Sequence, residues 1–247
     1  MYGVIIHSMD IQRLYSYVRK AIDDYGMIKE GDRIALGISG GKDSLALLYA
    51  LSGLRRFYPN KFELCAITVD LGYDNYDLTE IEELCRNLDV DYYIVKTKIN
   101  EMNKDGECSL CSRLRKGALL SEAKNHNCNK IAYAHNMDDV VETMLMSLIY
   151  EGRFCSFWPV THFEDSNIDI IRPLVYAPVE DIIGFSNKYR LPIKKNPCPF
   201  DGITKRAYIR ELIKDINKKE PGVKKRLMTA VVNSDEWRIK RLNNELV

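Results

Sequence analysis

Two rhythms of apolar and polar positions alternate along the chain. Short apolar runs of the kind that fill a buried strand occur at RIALGI (33–38), FELCAITVD (62–70), DYYIVKT (91–97), KIAYAH (130–135) and IDIIRPL (168–174). Between them lie helical stretches: SLALLYAL from Ser44, LTEIEELCRNL with Thr79 as a cap, SRLRKGALLSEAKNH from Ser112, and DDVVETMLMSLIY from Asp138. An amphipathic helix, DIQRLYSYVRKAIDDYG, precedes them and ends at Gly26. This βαβα order predicts an α/β fold, a doubly wound and mostly parallel sheet with helices on both faces. PVEDIIGFSNKY and TKRAYIRELIKDI continue as a small, mainly helical C-terminal part. No internal repeat, low-complexity tract or Gly/Ser linker interrupts the pattern. The expected division is an N-terminal helical segment 1–27, an α/β domain 28–180 and a helical region 181–247.

Composition permits an enzyme. The chain has 247 residues, 46% hydrophobic and 29% charged, and a chain of this size buries roughly 70–75% of its unfolded surface. It has no apolar run of ~18 residues to span a membrane, and its first residues lack the features of a signal peptide. We therefore expect a cytoplasmic protein without a membrane partner. The net charge of +1 hides a division: residues 186–247 hold 16 Lys and Arg against 7 Asp and Glu, and the remainder 20 against 28. A basic tail on an acidic body points to a polyanion such as RNA, or else to a solvated basic helix surface.

Two local patterns carry chemistry. In GISGGKDSLALL (37–48), Ser39 to Ser44 occupy a strand-to-helix turn, where free N–H groups and the helix dipole favour phosphate. A Walker loop would need glycine at Leu36 and a hydroxyl at Asp43, and a Rossmann loop glycine at Ser39, so neither fits. Gly40 and Gly41 let backbone approach phosphate, Ser39 and Ser44 offer hydroxyls, and Lys42 offers charge. Asp43 suits Mg²⁺ or loop N–H groups. Seven cysteines, an odd number, argue against a disulfide framework. Cys65 and Cys85 fall in core patterns, and Cys128 and Cys155 have no evident partner. Cys108 and Cys111 form a CxxC entering a helix, spacing that suits a thiolate pair on one metal or cluster. A zinc site would want a second pair, and a redox pair a thioredoxin-like setting. Cys198, in the proline-flanked loop KNPCPFDG, is either a further ligand or an incidental thiol.

SGGKDS between a strand and a helix resembles the pyrophosphate loop of the PP-loop ATPases. With CSLCSRLRKG, AHNMDD and IIRPL following in order, residues from about 28 to 215 resemble the TtcA-like branch of that family. These are tRNA 2-thiocytidine synthetases, related to the TtuA and NcsA tRNA thiouridine synthetases. The resemblance implies an adenine nucleotide α-hydrolase-like (HUP) fold, with ATP and Mg²⁺ as cofactors. It also implies a [4Fe–4S] cluster held by Cys108, Cys111 and Cys198, with the fourth iron free for sulfur. The implied reaction adenylates the C2 carbonyl of a tRNA base, cytidine at position 32, then transfers sulfur and releases AMP and pyrophosphate. Ser39, Gly40, Gly41, Lys42, Asp43, Ser44, Asp70 and His135 would bind the nucleotide.

Asp138, Asp139 and Arg115 would serve the chemistry, although either aspartate could instead cap a helix, and Arg113, Arg115 and Lys116 could be a solvated helix face. The implied partners are tRNA, a sulfur donor such as a cysteine desulfurase or free sulfide, and a second copy in a homodimer. There are departures. The chain lacks the paired terminal cysteines of the thiouridine relatives, which favours the thiocytidine branch. Its Cys198 loop holds one cysteine where some thiocytidine enzymes have two, and Asn136 stands where they often have a second histidine. The alternatives are a thiouridine synthetase, a lysidine-type tRNA ligase, a small-molecule PP-loop enzyme, or a non-catalytic nucleotide-binding cluster protein.

Overall fold

A buried strand needs hydrogen-bond partners on both edges, and the apolar runs supply them to one another in a single sheet. The computed structural model describes residues 10–74, 76–103, 107–163, 167–198, 205–235 and 237–238. Residues 1–9 of the expected N-terminal segment, Thr204 and residues 239–247 of the basic tail lie outside the described residues.

The strands are β1 (Asp32–Gly37), β2 (Phe62–Asp70), β3 (Asp91–Lys96), β4 (Lys130–Ala132), β5 (Val160–Phe163) and β6 (Ile168–Ile171). They stand in the order β3-β2-β1-β4-β6-β5. All neighbours are parallel except the edge strand β5, which runs antiparallel to β6. Side chains alternate as the pleat requires. Ile34, Leu36, Leu64, Ala66 and Ala132 enter the larger core, and Ala35, Cys65, Ile67 and Ile131 the smaller core on the opposite face.

Helices cover both faces, so the doubly wound α/β expectation holds. The larger core is closed by α1 (Ile11–Tyr25), α2 (Lys42–Leu54), α3 (Thr79–Asn87), α6 (Met137–Glu151) and α7 (Val179–Lys188). The smaller is closed by α5 (Cys108–Asn125), through Leu119 and Ala123, with the short α4 (Ile99–Met102) beside it. Helices α8 (Lys205–Lys219) and α9 (Val223–Val232) form the helical C-terminal part and pack on α6. Trp237, 1% exposed, meets the ring of Tyr25 edge-on with centroids 5.8 Å apart. Among the described residues no helix is long and apolar enough to cross a membrane.

Three local expectations shift. The KIAYAH strand stops at Ala132, with one more bond to β6 from the Tyr133 N–H to the Ile171 carbonyl at 2.9 Å. The helix expected from Ser112 begins at Cys108. Thr79 opens α3 rather than capping it, its N–H and hydroxyl both bonded to the Asp77 carboxylate.

Candidate nucleotide and thiol site

Parallel strands direct their carboxyl ends to one edge of the sheet, and there the chain leaves a cavity of about 680 Å³. The glycine-rich turn forms one wall. Gly40 has φ +75°, a conformation that favours glycine, and a Cβ there would stand 2.6 Å from the Tyr76 hydroxyl. That hydroxyl donates to the Ser39 carbonyl at 2.9 Å. The Ser44 hydroxyl donates to the Gly41 carbonyl (2.9 Å) and lies 3.2 Å from Ser39 Oγ, so the turn is tied across itself. Ser39 Oγ accepts the Gly41 N–H at 3.3 Å. Among the described residues no side chain accepts from the first N–H groups of α2 that follow, the end of a helix where phosphate is favoured.

Asp43, the odd residue in a phosphate turn, has two partners. Its carboxylate takes Lys42 Nζ at 2.7 Å and Asn136 Nδ2 at 2.9 Å. Asn136 is also the cap of α6, accepting from the N–H groups of Asp138 and Asp139. One asparagine therefore joins the starts of α2 and α6.

Ser39, Asp43, Ser44, Asp70, Arg115 and His135 all line the cavity, while Gly40, Gly41 and Lys42 lie on the same turn beside it. Asp138 and Asp139 occupy the first turn of α6. Asp139 completes a capping box by accepting the Asn136 N–H, and burial, reinforced by nearby Asp43, pushes its carboxyl up to about 6. Asp138 accepts the Val179 N–H and pairs with Lys224, which opposes the upward pull of burial on its carboxyl. His135 is lowered to about 3, first by burial and then by Arg172, Arg206 and Arg115, so its ring is neutral at physiological pH. Its Nδ1 accepts from Arg172 Nε at 3.3 Å, which puts the ring proton on Nε2.

Tyr133, Phe157 and Arg172 also line the cavity, as does Arg206, which as part of the basic tail is expected to face tRNA. Phe157 stacks on His135 with centroids 4.2 Å apart. Arg206 belongs to the basic tail yet faces inward. It contacts the Asp139 carbonyl and Glu142, and Arg210 also holds that carboxylate at 2.7 Å. Glu142 is 2% exposed, so two tail arginines neutralise a buried charge on α6. A lone acid in the apolar helix pattern DDVVETMLM was the signal available for this.

Cys108 and Cys111, one turn apart at the start of α5, present their thiols on one helix face, the first exposed and the second half-buried. Cys198 is half-buried in the loop that follows α7. The Tyr73 hydroxyl lies near two of them. Burial raises its phenol first, and neighbouring Cys198 and then Cys111 add to the shift. Tyr73 lines the cavity, as do Ser112, beside Cys111, and Pro197, beside Cys198. The three thiols are free, and a set of three sulfur donors fits a thiophilic centre. Among the described residues, however, no three His, Cys, Asp or Glu side chains converge closely enough to hold a metal ion. Cys65 and Cys128, read as unrelated, meet in the smaller core with sulfurs 3.4 Å apart.

Comparison with known proteins agrees with this fold. Residues 10–216 match the family model of the PP-loop domain. The tRNA-cytidine(32) 2-sulfurtransferase of Geotalea uraniireducens is 40% identical over 229 residues, covering 90% of this chain and 91% of that one. That of Citrifermentans bemidjiense is 38% identical over 237 residues, covering 93% of each. Among solved structures, the U34-tRNA thiolase NcsA from Methanococcus maripaludis, described with its [4Fe–4S] cluster, superposes with a TM-score of 0.73. It is 24% identical, with 96% of this chain and 80% of that one covered. An NH3-dependent NAD synthetase from Campylobacter jejuni shares the fold more distantly, with a TM-score of 0.51, 16% identity, and 93% and 94% coverage.

Proposed function

The chain belongs to the PP-loop family and, within it, to the tRNA-cytidine(32) 2-sulfurtransferases, and from that premise we propose how it works. It adenylates the C2 carbonyl of a tRNA cytidine, the residue at position 32, and replaces that oxygen with sulfur, releasing AMP and pyrophosphate. One observation carries the reading. A single cavity is lined by the turn residues Ser39 and Ser44, by Arg115 from the helix that begins with Cys108 and Cys111, and by Tyr73, a neighbour of Cys198 and Cys111. The three thiols themselves stand outside this lining, next to Ser112 and Pro197 at its margin, and that adjacency of turn and thiols supports the reading.

In this mechanism the turn amides, Ser39, Ser44 and Lys42 hold the leaving pyrophosphate, an electrostatic role that needs no proton transfer. Asp70, at the end of β2, faces the adenosine. Asp43, paired with Lys42 and Asn136, would hold Mg²⁺, which would neutralise charge on the phosphates. Cys108, Cys111 and Cys198 would hold a [4Fe–4S] cluster, which supplies an iron open to a sulfur ligand. Arg115 sits one turn beyond Cys111 and orients the reacting base. Asp138 and Asp139, held by Lys224 with the Val179 N–H and by the Asn136 N–H, stand outside the cavity lining and would support that role from the start of α6. The region 181–247 contacts tRNA through its outward lysines, since Arg206, Arg210 and Lys224 are occupied internally. Cysteine desulfurase or free sulfide supplies the sulfur, and the working unit is a homodimer.

The test is the reaction of anaerobically prepared holoenzyme with ATP, sulfide and tRNA. We expect AMP and 2-thiocytidine in equal amounts. ADP as the nucleotide product would refute the PP-loop chemistry. Thiouridine in place of 2-thiocytidine would refute the substrate, and AMP formed equally well by an iron-free, colourless preparation would favour a ligase.

A further inference from the structure

Arg172 follows β6 at the carboxyl edge of the sheet, is 8% exposed, and pairs with no carboxylate among the described residues. Its partners are neutral. Nε donates to His135 Nδ1 at 3.3 Å, and Nη1 donates to the Trp158 carbonyl at 2.6 Å and the Thr161 hydroxyl at 3.0 Å. Nη2 has no acceptor among the described residues, and Arg172 lines the cavity. A guanidinium withdrawn from water without a counter-ion is costly and is retained where something else supplies the charge. Arg206 and Arg210, by contrast, share Glu142.

The cavity lining carries both signs of charge. Asp43 and Asp70 belong to it, as do Arg115, Arg206, Arg172 and Lys116, the last lying 3.8 Å over the Phe163 ring with no carboxylate partner among the described residues. His135 links the turn to Arg172. Its neighbour in sequence, Asn136, is bonded to Asp43 of the turn at 2.9 Å, and its own Nδ1 is bonded to Arg172. The turn after β1, His135 after β4 and Arg172 after β6 follow one another along the carboxyl edge of the sheet, an order in which a triphosphate seated on the turn extends toward Arg172.

We propose that Arg172, together with the neutral His135 it orients, holds the non-bridging oxygens of the ATP α-phosphate during adenylation. The inference rests on the adenylating reading of the site and adds a catalytic residue to it. In the step, the substrate carbonyl oxygen forms a bond to the α-phosphorus. The bond from that phosphorus to the bridging oxygen breaks, and its electron pair leaves on pyrophosphate. Charge that builds on the non-bridging oxygens is met by the guanidinium and by the Nε2–H of His135, and neither group gives up its proton. Desolvation lowers the Arg172 pKa to about 10, still far above neutrality, so the side chain stays charged throughout.

The experiment measures adenosine, AMP, pyrophosphate and tRNA binding to the full chain, prepared anaerobically, as wild type, Arg172→Met and Arg172→Lys. Single-turnover adenylation and thermal melting are followed alongside. In the Met variant AMP should bind about 10- to 100-fold more weakly, with adenosine and pyrophosphate unaffected. Adenylation should slow by about 10²–10³, more than AMP affinity falls, with the KM for ATP rising by no more than that loss of AMP affinity. The Lys variant should recover part of both losses. AMP binding at wild-type strength would overturn the assignment. So would a loss of tRNA affinity in place of AMP affinity, which would give Arg172 to an RNA phosphate, or an equal loss for adenosine with a lowered Tm, which would make it structural. If wild-type enzyme yields ADP, the adenylating reading fails. If wild type yields AMP and the Met variant matches its rate, only the role of Arg172 fails.

Discussion

Replacing Gly40 by alanine tests the turn at its most constrained point. The residue has φ +75°, and an added Cβ would lie 2.6 Å from the Tyr76 hydroxyl, 3.3 Å from Lys194 Cβ and 3.5 Å from Ile81 Cδ1. An L side chain held in that conformation costs about 1–2 kcal/mol, and displacing Tyr76 from the Ser39 carbonyl costs about 1 kcal/mol more. The cost has two places to appear. If the turn keeps its shape, the variant loses about 2–3 kcal/mol of stability and binds ATP normally. If the turn relaxes, stability is kept and ATP binds about 30- to 150-fold more weakly, the same free energy at 1.4 kcal/mol per tenfold. Urea unfolding and nucleotide titration on one preparation should therefore give two losses that together reach about 2–3 kcal/mol. Gly41→Ala is the control, since Gly41 has φ −77° and its Cβ would meet only Ser39 Oγ at 3.4 Å. A Gly40→Ala protein that matches wild type in both measurements, or a Gly41→Ala protein that loses as much stability, would refute the reasoning.

Folded His135 stays neutral down to about 3, whereas an unfolded histidine takes up a proton near 6.5. As pH falls from about 6.5 toward 3 the unfolded chain gains a proton that the folded chain refuses, so stability contributed here is lost on acidification. His135→Asn should remove a slope of up to about 1.4 kcal/mol per pH unit from the urea-derived stability in that window, and parallel profiles for variant and wild type would contradict it. Anaerobic protein should carry about four irons per chain. Cys198→Ala should lose them and Cys128→Ala keep them, because Cys128 lies against Cys65 in the smaller core; iron unchanged in Cys198→Ala would remove that residue from the ligand set.

What could be read from the sequence was whatever is contiguous in it. RIALGI and FELCAITVD announce strands because their residues are apolar on both faces, as a sheet with two cores demands. The phosphate turn was legible for the same reason, since its glycines, hydroxyls and lysine stand side by side. VTHF was not read as β5, because a short antiparallel edge strand with partly exposed residues carries neither a buried run nor a clean alternation. The gathering of Tyr133, Phe157, Arg172 and Arg206 around the cavity was invisible for a different cause. They come from separate stretches of chain, and nothing local to IIRPL distinguishes an arginine facing a ligand from one facing water. Asp43 likewise looked out of place until Asn136, 93 residues away, was brought against it.

The contact between Tyr25 and Trp237 sets an order of events at the ribosome. At about 5–20 residues per second, roughly 10–40 seconds separate the synthesis of these two rings. During that interval α1 can settle on α2, but the aromatic face of Tyr25 has no indole against it, and the larger core stays open on that side. The nascent chain thus exposes apolar surface until its last described helical turn is made. A growing chain halted by a stop codon before residue 237 would carry every group of the phosphate turn and still be a substrate for chaperones and proteases rather than a working enzyme.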